Sequence, residues 1–167
     1  NDITQQYLPW LSRKTGFTYR LPTEAEWEFA ARGGAAAAAG QAYSFGDDGA
    51  QLCQYGNSSD GAGSTCSDGF ANTAPVGSLK ANALGLFDMH GNVWEWCQDH
   101  WHDTYDNAPT HTMAWIDNNN NDYRVLRGGS WNYLPGSCRS ASRNHGFALG
   151  TYNYIGFRVA CSAPRTL

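Results

Sequence analysis

Gly85-Leu86-Phe87-Asp88-Met89-His90-Gly91-Asn92-Val93-Trp94-Glu95-Trp96 is the stretch that decides how this chain folds. Turn-forming residues dominate its first part and an aromatic, β-branched run closes it, so it predicts an irregular turn that delivers a short strand at Val93 to Cys97. On either side, from Tyr43 to Asp117, turn formers alternate with aromatics and no period of 3.6 or 2 persists. So much irregular backbone must be pinned by something other than ladder hydrogen bonds, and bound cations are one candidate. Further strands are expected at Arg124 to Leu126 and Gly156 to Ala160, which makes the sheet small.

Upstream, Ile3, Tyr7, Trp10 and Leu11 recur at helical spacing behind the capping candidates Asn1 and Asp2, with Pro9 as a potential kink and Gly16 as the stop. Thr23 stands three residues ahead of Glu26 in a capping box, and Ala25, Trp27, Phe29 and Ala30 carry a second short helix to Gly33-Gly34. Glu24, Glu26 and Glu28 suit its first turn and read as a solvated or salt-bridged face. The Ala35 to Ala39 run between glycines reads as a surface loop.

With 167 residues, a charged fraction of 16%, an aromatic fraction of 14% and 19 glycines, the chain reads as one loop-rich domain spanning 1–167. A net charge of −4 without any Lys/Arg run argues against a nucleic-acid partner, because phosphate binding needs clustered cations. No apolar run is long enough for membrane insertion, and the polar start does not read as a signal peptide. The five cysteines match no zinc pattern; Cys53 and Cys66 either pair across their loop or remain separate thiols, so the compartment stays open.

Four more strings stand in register with the opening one. Tyr19-Arg20-Leu21-Pro22-Thr23-Glu24-Ala25-Glu26-Trp27-Glu28 precedes it, and Arg124-Val125-Leu126-Arg127-Gly128-Gly129-Ser130-Trp131, Arg139-Ser140-Ala141-Ser142-Arg143 and Gly156-Phe157-Arg158-Val159-Ala160 follow. In this order they resemble the formylglycine-generating-enzyme (sulfatase-modifying factor) superfamily across nearly the whole chain. The resemblance implies an α+β chain with a variant C-type lectin fold: two helices, a small mixed or antiparallel sheet and long structured loops. The strands that usually precede the first helix in that superfamily are missing from this sequence. Arg139, Arg143 and Arg158 are expected to bridge loop carbonyls or carboxylates such as Glu24, Glu26 and Glu95, and the Arg-Gly-Gly-Ser-Trp turn to pass closely under aromatic side chains.

Catalytic members of the superfamily bind copper with two cysteines lying between the Gly-Gly-Ser and Arg-x-Ala-x-Arg motifs, a task for soft thiolates. The matching positions here are Ser140 and a residue near Pro135, and Cys138 remains as a single thiol. No copper and no enzyme activity are therefore expected, a formylglycine-type oxidase or related modifying enzyme being the alternative. The iron-dependent sulfoxide synthases of the superfamily use three histidines; His100 and His102 alternate as two ligands on one strand face would, but a solvent-facing pair beside Trp101 is the plainer reading. Two structural calcium sites of the enzymes have matching residues here: Asp88, Gly91, Val93 and Glu95 in one set, Asn57, Ser58, Asp68 and Phe70 in the other. Both combine carboxylate or amide oxygens with backbone carbonyls, the hard donors calcium requires. Hydrogen-bonded turns or arginine pairing would explain the same side chains without an ion.

The segment from Asn132 to Ile155 is rich in Tyr, Asn, Ser and Gly, the composition of a paratope. With the preceding Asp117 to Asp122 run, it resembles the variable proteins of diversity-generating retroelements, which are built on this lectin fold. Randomised Asn-type codons cannot yield Lys, Glu, Gln, Met or Trp, and none of these occurs between Asn132 and Ile155. The resemblance places the varied, ligand-binding positions at Asn132, Tyr133, Leu134, Ser137, Ser142, His145, Phe147, Leu149, Thr151, Tyr152, Asn153 and Tyr154. It implies a protein or cell-surface ligand as partner.

Overall fold

A computed structural model describes residues 2–35, 40–59, 66–117 and 122–162. A π-helical turn, Ile3–Tyr7, leads into helix α1, Leu8–Thr15. Pro9 has no amide to donate, and the widened turn falls directly before it. Gly16 closes α1 with φ of 79°, as its position in the sequence suggests. Asp2 gives no capping hydrogen bond; its carboxylate accepts from Gln6 instead. Asn1 lies outside the described residues, as do 36–39 of the alanine run and 118–121 of the asparagine run.

Strand β1, Thr18–Arg20, is followed by helix α2, Glu24–Arg32, whose capping box is complete: Thr23 accepts from the Glu26 amide and Glu26 accepts from the Thr23 amide. Two expectations about the helices need correcting. In α1 the buried residue is Leu8, while Tyr7 and Trp10 stay exposed and make a surface cluster with Phe157. In α2 the buried stripe is Glu24, Trp27 and Ala31, at the i, i+3, i+7 spacing of one helix face, and Phe29 is exposed.

The main sheet has the order β4-β3-β2-β5, formed by β2 (Trp94–His100), β3 (Tyr123–Arg127), β4 (Arg143–Phe147) and β5 (Ile155–Gly156). The β2–β3 and β3–β4 pairs are antiparallel and β2–β5 is parallel. The strand expected at Gly156 to Ala160 is broken: after β5 the chain leaves the sheet, and β6, Ala160–Ser162, pairs antiparallel with β1. Short 3-10 turns at Gly49–Gln54 and Pro135–Cys138 brace the loops, and Cys53 and Cys66 form a disulfide across theirs.

The sheet separates two apolar clusters. Leu8, Leu21, Trp94, Trp96 and Leu126 fill one side; Trp27, Ala31, Met89, Cys97 and Val125 fill the α2 side. Gly128, at φ of 99°, runs under Trp27, where an added Cβ would lie 3.0 Å from the indole, so the expected close pass of the glycine turn under an aromatic ring is present.

Candidate functional surface

None of the twelve candidate positions is buried. Leu134 and Leu149 are 60% and 62% exposed, values that rule out a core role for either. Strand alternation nevertheless divides the group. Val125 packs toward α2 and pairs with His145, and Tyr123 pairs with Phe147, so His145 and Phe147 project on the α2 side. There they meet Tyr123, with ring centroids 5.1 Å and 6.1 Å away, and Trp101 lies 4.7 Å from His145. Gly146 between them points the other way, where a Cβ would stand 2.6 Å from Trp96.

The tyrosines form a second group. Tyr133 and Tyr154 are half-buried against the Trp94–Trp96–Leu126 cluster, Tyr133 edge-on to Trp94 at 5.5 Å, and Tyr152 joins Tyr154 at 5.4 Å. These rings serve the core as well as the surface. Tyr154→Ala is therefore expected to lose about 1–2 kcal/mol of stability, whereas Leu149→Ala stays within about 0.5 kcal/mol; urea denaturation of both variants checks the contrast. Asn132 is exposed and accepts from Ser130 Oγ at 2.7 Å, while the half-buried Ser142 donates its Oγ proton to the Gly136 carbonyl at 2.9 Å. Thr151 and Asn153 are exposed and Ser137 is half-buried.

Beneath this surface lies an arginine–glutamate frame. Arg143 grips Glu24 with two bonds of 2.6 and 3.0 Å and lies over the Trp101 and Tyr105 rings, and Arg158 holds Glu95 with bonds of 2.5 and 2.8 Å. Arg139 does not join the frame: it is exposed and, among the described residues, donates to the nearby Gly136 carbonyl. Glu26 binds the flanking Arg20 at the surface, which holds its carboxyl below the usual range. The arginine that sequence reasoning passed over is Arg127, fully buried between Glu24 and Glu28.

The positions matching the copper cysteines are closed. Ser140 is fully buried and Pro135 gives its carbonyl to the Tyr43 hydroxyl. Cys138 is also fully buried, and burial pushes its thiol up to about 12. A thiol held protonated is a poor metal ligand and a poor nucleophile.

The calcium question turns on orphaned oxygens. Asp88 Oδ1 and Asn57 Oδ1 are buried without hydrogen-bond partners, one in each set, which suits a hard cation. Asp88 Oδ2 accepts from the Gly77 amide, and Asp68 accepts from the Ser58 and Phe70 amides, shaping both turns. Both Glu95 oxygens, by contrast, are engaged by Arg158, and one of them also by the Trp27 indole. Asp88, Gly91, Val93 and Glu95 all line one cleft of about 450 Å³.

His100 and His102 are not a solvent-facing pair. His100 is buried, His102 stacks on Trp115 at 3.7 Å, and both rings turn to Asp117, at 3.0 and 3.1 Å. Among the described residues no three His, Cys, Asp or Glu side chains are placed to hold a metal ion.

A family model described as the sulfatase-modifying factor enzyme 1-like domain matches residues 2–163. The chain is 38% identical to the formylglycine-generating enzyme of Streptomyces coelicolor over 99% of its own length and 52% of that relative, so it spans about half of the enzyme. Among solved structures it is similar to PvdO from Pseudomonas aeruginosa, with a TM-score of 0.78 and 38% identity over 95% of this chain and 58% of that one. It is also similar to the Treponema denticola variable protein 1, with a TM-score of 0.70 and 34% identity over 86% and 47% of the two chains.

Proposed function

Because the chain belongs to the sulfatase-modifying factor enzyme 1-like family, whose similar proteins include both an enzyme and a variable protein, we propose that it is a non-enzymatic ligand-binding protein, diversified by a retroelement. Its partner is a protein or other surface ligand, met through the loops of 132–154. The observation that carries this reading is the isolation of Cys138: one buried, protonated thiol, with Ser140 where a second thiolate would be required. The exposed Leu134, Phe147, Leu149 and Tyr152 support contact with a partner, and the Cys53–Cys66 bridge suits work outside a reducing compartment. No helix among the described residues is long and apolar enough to cross a membrane.

Two experiments test the reading. Sequencing the surrounding locus is expected to find an adenine-rich near-copy of the 132–154 coding region beside a reverse-transcriptase gene; without them, the loops do not vary. Titration with Cu(I) and a cysteine-containing peptide is expected to give neither stoichiometric thiolate binding nor oxidation. Either one would restore the oxidase reading, which the relatives named as formylglycine-generating enzymes favour.

The proposal includes calcium as a structural pin, held by Asp88 with Gly91 and Val93, Glu95 being committed to Arg158 instead, and by Asn57, Ser58, Asp68 and Phe70. When bound, the ion would supply charge for the unpartnered oxygens and nothing catalytic. Calcium at a hundredfold excess over its Kd is expected to raise the melting temperature by roughly 5–10 °C, reversed by chelator. A melting curve indifferent to both would remove the sites.

A further inference from the structure

We infer that recognition centres on the aromatic patch of the α2 side, anchored by Tyr123 and Trp101 from outside the 132–154 segment, and that this patch takes a protein face presenting Lys or Arg beside apolar residues. The inference rests on the binding reading above and adds the place of contact and the chemistry of the partner.

Tyr123 is 47% exposed and stands directly opposite Phe147, itself 40% exposed, with His145 completing the face. Together with Trp101 these rings form a continuous surface from the β4 edge to the 101–117 segment. The two anchors are rigid. Tyr123 lies in a strand paired on both sides, its carbonyl accepts from the Trp101 amide at 3.1 Å, and the Trp101 ring backs onto Arg143, which Glu24 holds from behind. Aromatic side chains already fixed in place lose little entropy on binding, which is what makes such residues dominate interfaces. Trp101 is half-buried against the Trp27 cluster as Tyr133 and Tyr154 are against theirs, so the exposed share of the patch is carried by Tyr123, His145 and Phe147.

Charge selects the partner. Residues 98–123 contain five aspartates and no Lys or Arg, in a chain whose net charge is −4. Asp103, Asp106 and Asp122 are exposed beside the patch, and Asp103 accepts from the Trp101 indole at 2.8 Å. Asp103 and Asp106 line one cleft with Trp101, and carboxylates beside aromatic faces attract cationic side chains through both charge and cation–π contact.

The test uses yeast-displayed libraries of the chain randomised at His145, Phe147, Leu149 and Tyr152. One library keeps Tyr123 and Trp101, a second carries Tyr123→Ala and a third Trp101→Leu; all are selected against lysozyme, a basic protein, and α-lactalbumin, an acidic protein of the same fold. Melting of the unrandomised variants establishes that each scaffold folds, and Tyr123→Thr, which keeps strand propensity, replaces an alanine scaffold that does not. Lysozyme binders are expected at least tenfold more often from the first library than from the other two, and at least tenfold more often than α-lactalbumin binders. Equal recovery with and without the anchors overturns their role, and equal recovery of binders to the two proteins overturns the charge preference. If no library binds either protein, the binding reading itself fails and this inference falls with it.

Discussion

Replacing Arg127 with alanine is expected to lower the stability of this protein by about 3–5 kcal/mol, the range seen when one member of a buried ion pair is removed. The guanidinium is fully buried; it bonds Glu28, lies 3.4 Å from Glu24, donates to the Ser142 carbonyl and sits 5.4 Å from the centre of the Trp27 ring. Without it Glu24 keeps Arg143 and Glu28 keeps Arg32, but the buried side of the two carboxylates loses the cation that stood between them and a fully buried side chain leaves a void. Arg139→Ala, at an exposed arginine outside the frame, serves as the control and stays within about 0.5 kcal/mol. Urea denaturation measures both; a loss under about 1 kcal/mol for Arg127→Ala would show that the carboxylates relax to other partners. Because the Arg127 bond to Ser142 ties the frame to the segment bearing the candidate surface, the same substitution is also expected to weaken partner binding while leaving the exposed contact residues unchanged.

What could be read in the sequence was whatever depends on neighbours along the chain. The Thr23–Glu26 capping box, the Gly16 stop and the β2 and β3 runs follow from local chemistry, and all four are present. The elements that went unread depend on distant pairing: β1 is three residues long and exists through register with residues 160–162, and β4, Arg143–Phe147, has no β-branched residue to announce it. Missing β4 concealed its alternation, and with it the separation of His145 and Phe147 from Tyr133 and Tyr154. The salt-bridged option for Glu24 and Glu28 and the arginine partner of Glu24 were legible, but nothing local reveals that Arg127, about a hundred positions away in sequence, is buried between the two carboxylates. Tyr123 and Trp101 could have been found by asking which aromatics sit at strand ends next to the candidate loops, a question that requires the register first.

The second large effect expected is an acid destabilisation centred on His90. Burial pulls this imidazole from 6.5 down to about 4, against the opposing pull of the Cys138 carbonyl, which accepts from Nδ1 at 3.0 Å. Nε2 accepts from the Ser44 amide at 3.1 Å and lies 2.9 Å from the Ser44 hydroxyl, so the refusal of the proton comes from the loss of water around the charged ring. Above pH 6.5 the residue is neutral in both the folded and the unfolded chain, so it adds no pH dependence. As pH falls below 6.5 the unfolded chain takes up the proton and the folded chain does not, so stability drops until the folded imidazole also titrates near pH 4; the total is about 3 kcal/mol. His90→Asn, whose amide can reproduce the donor to Cys138, is expected to be less stable at neutral pH but to show a shallower decline between pH 6.5 and 4. Denaturation midpoints across that interval decide the matter, and parallel curves for the two proteins would mean that His90 is not the group responsible. Since His90 braces Cys138 from within, acid that ionises it loosens the packing that keeps the thiol shut away. Access of a thiol-reactive probe to Cys138 is expected to rise as pH falls through that interval in the unmodified protein and to depend less steeply on pH in the His90→Asn variant.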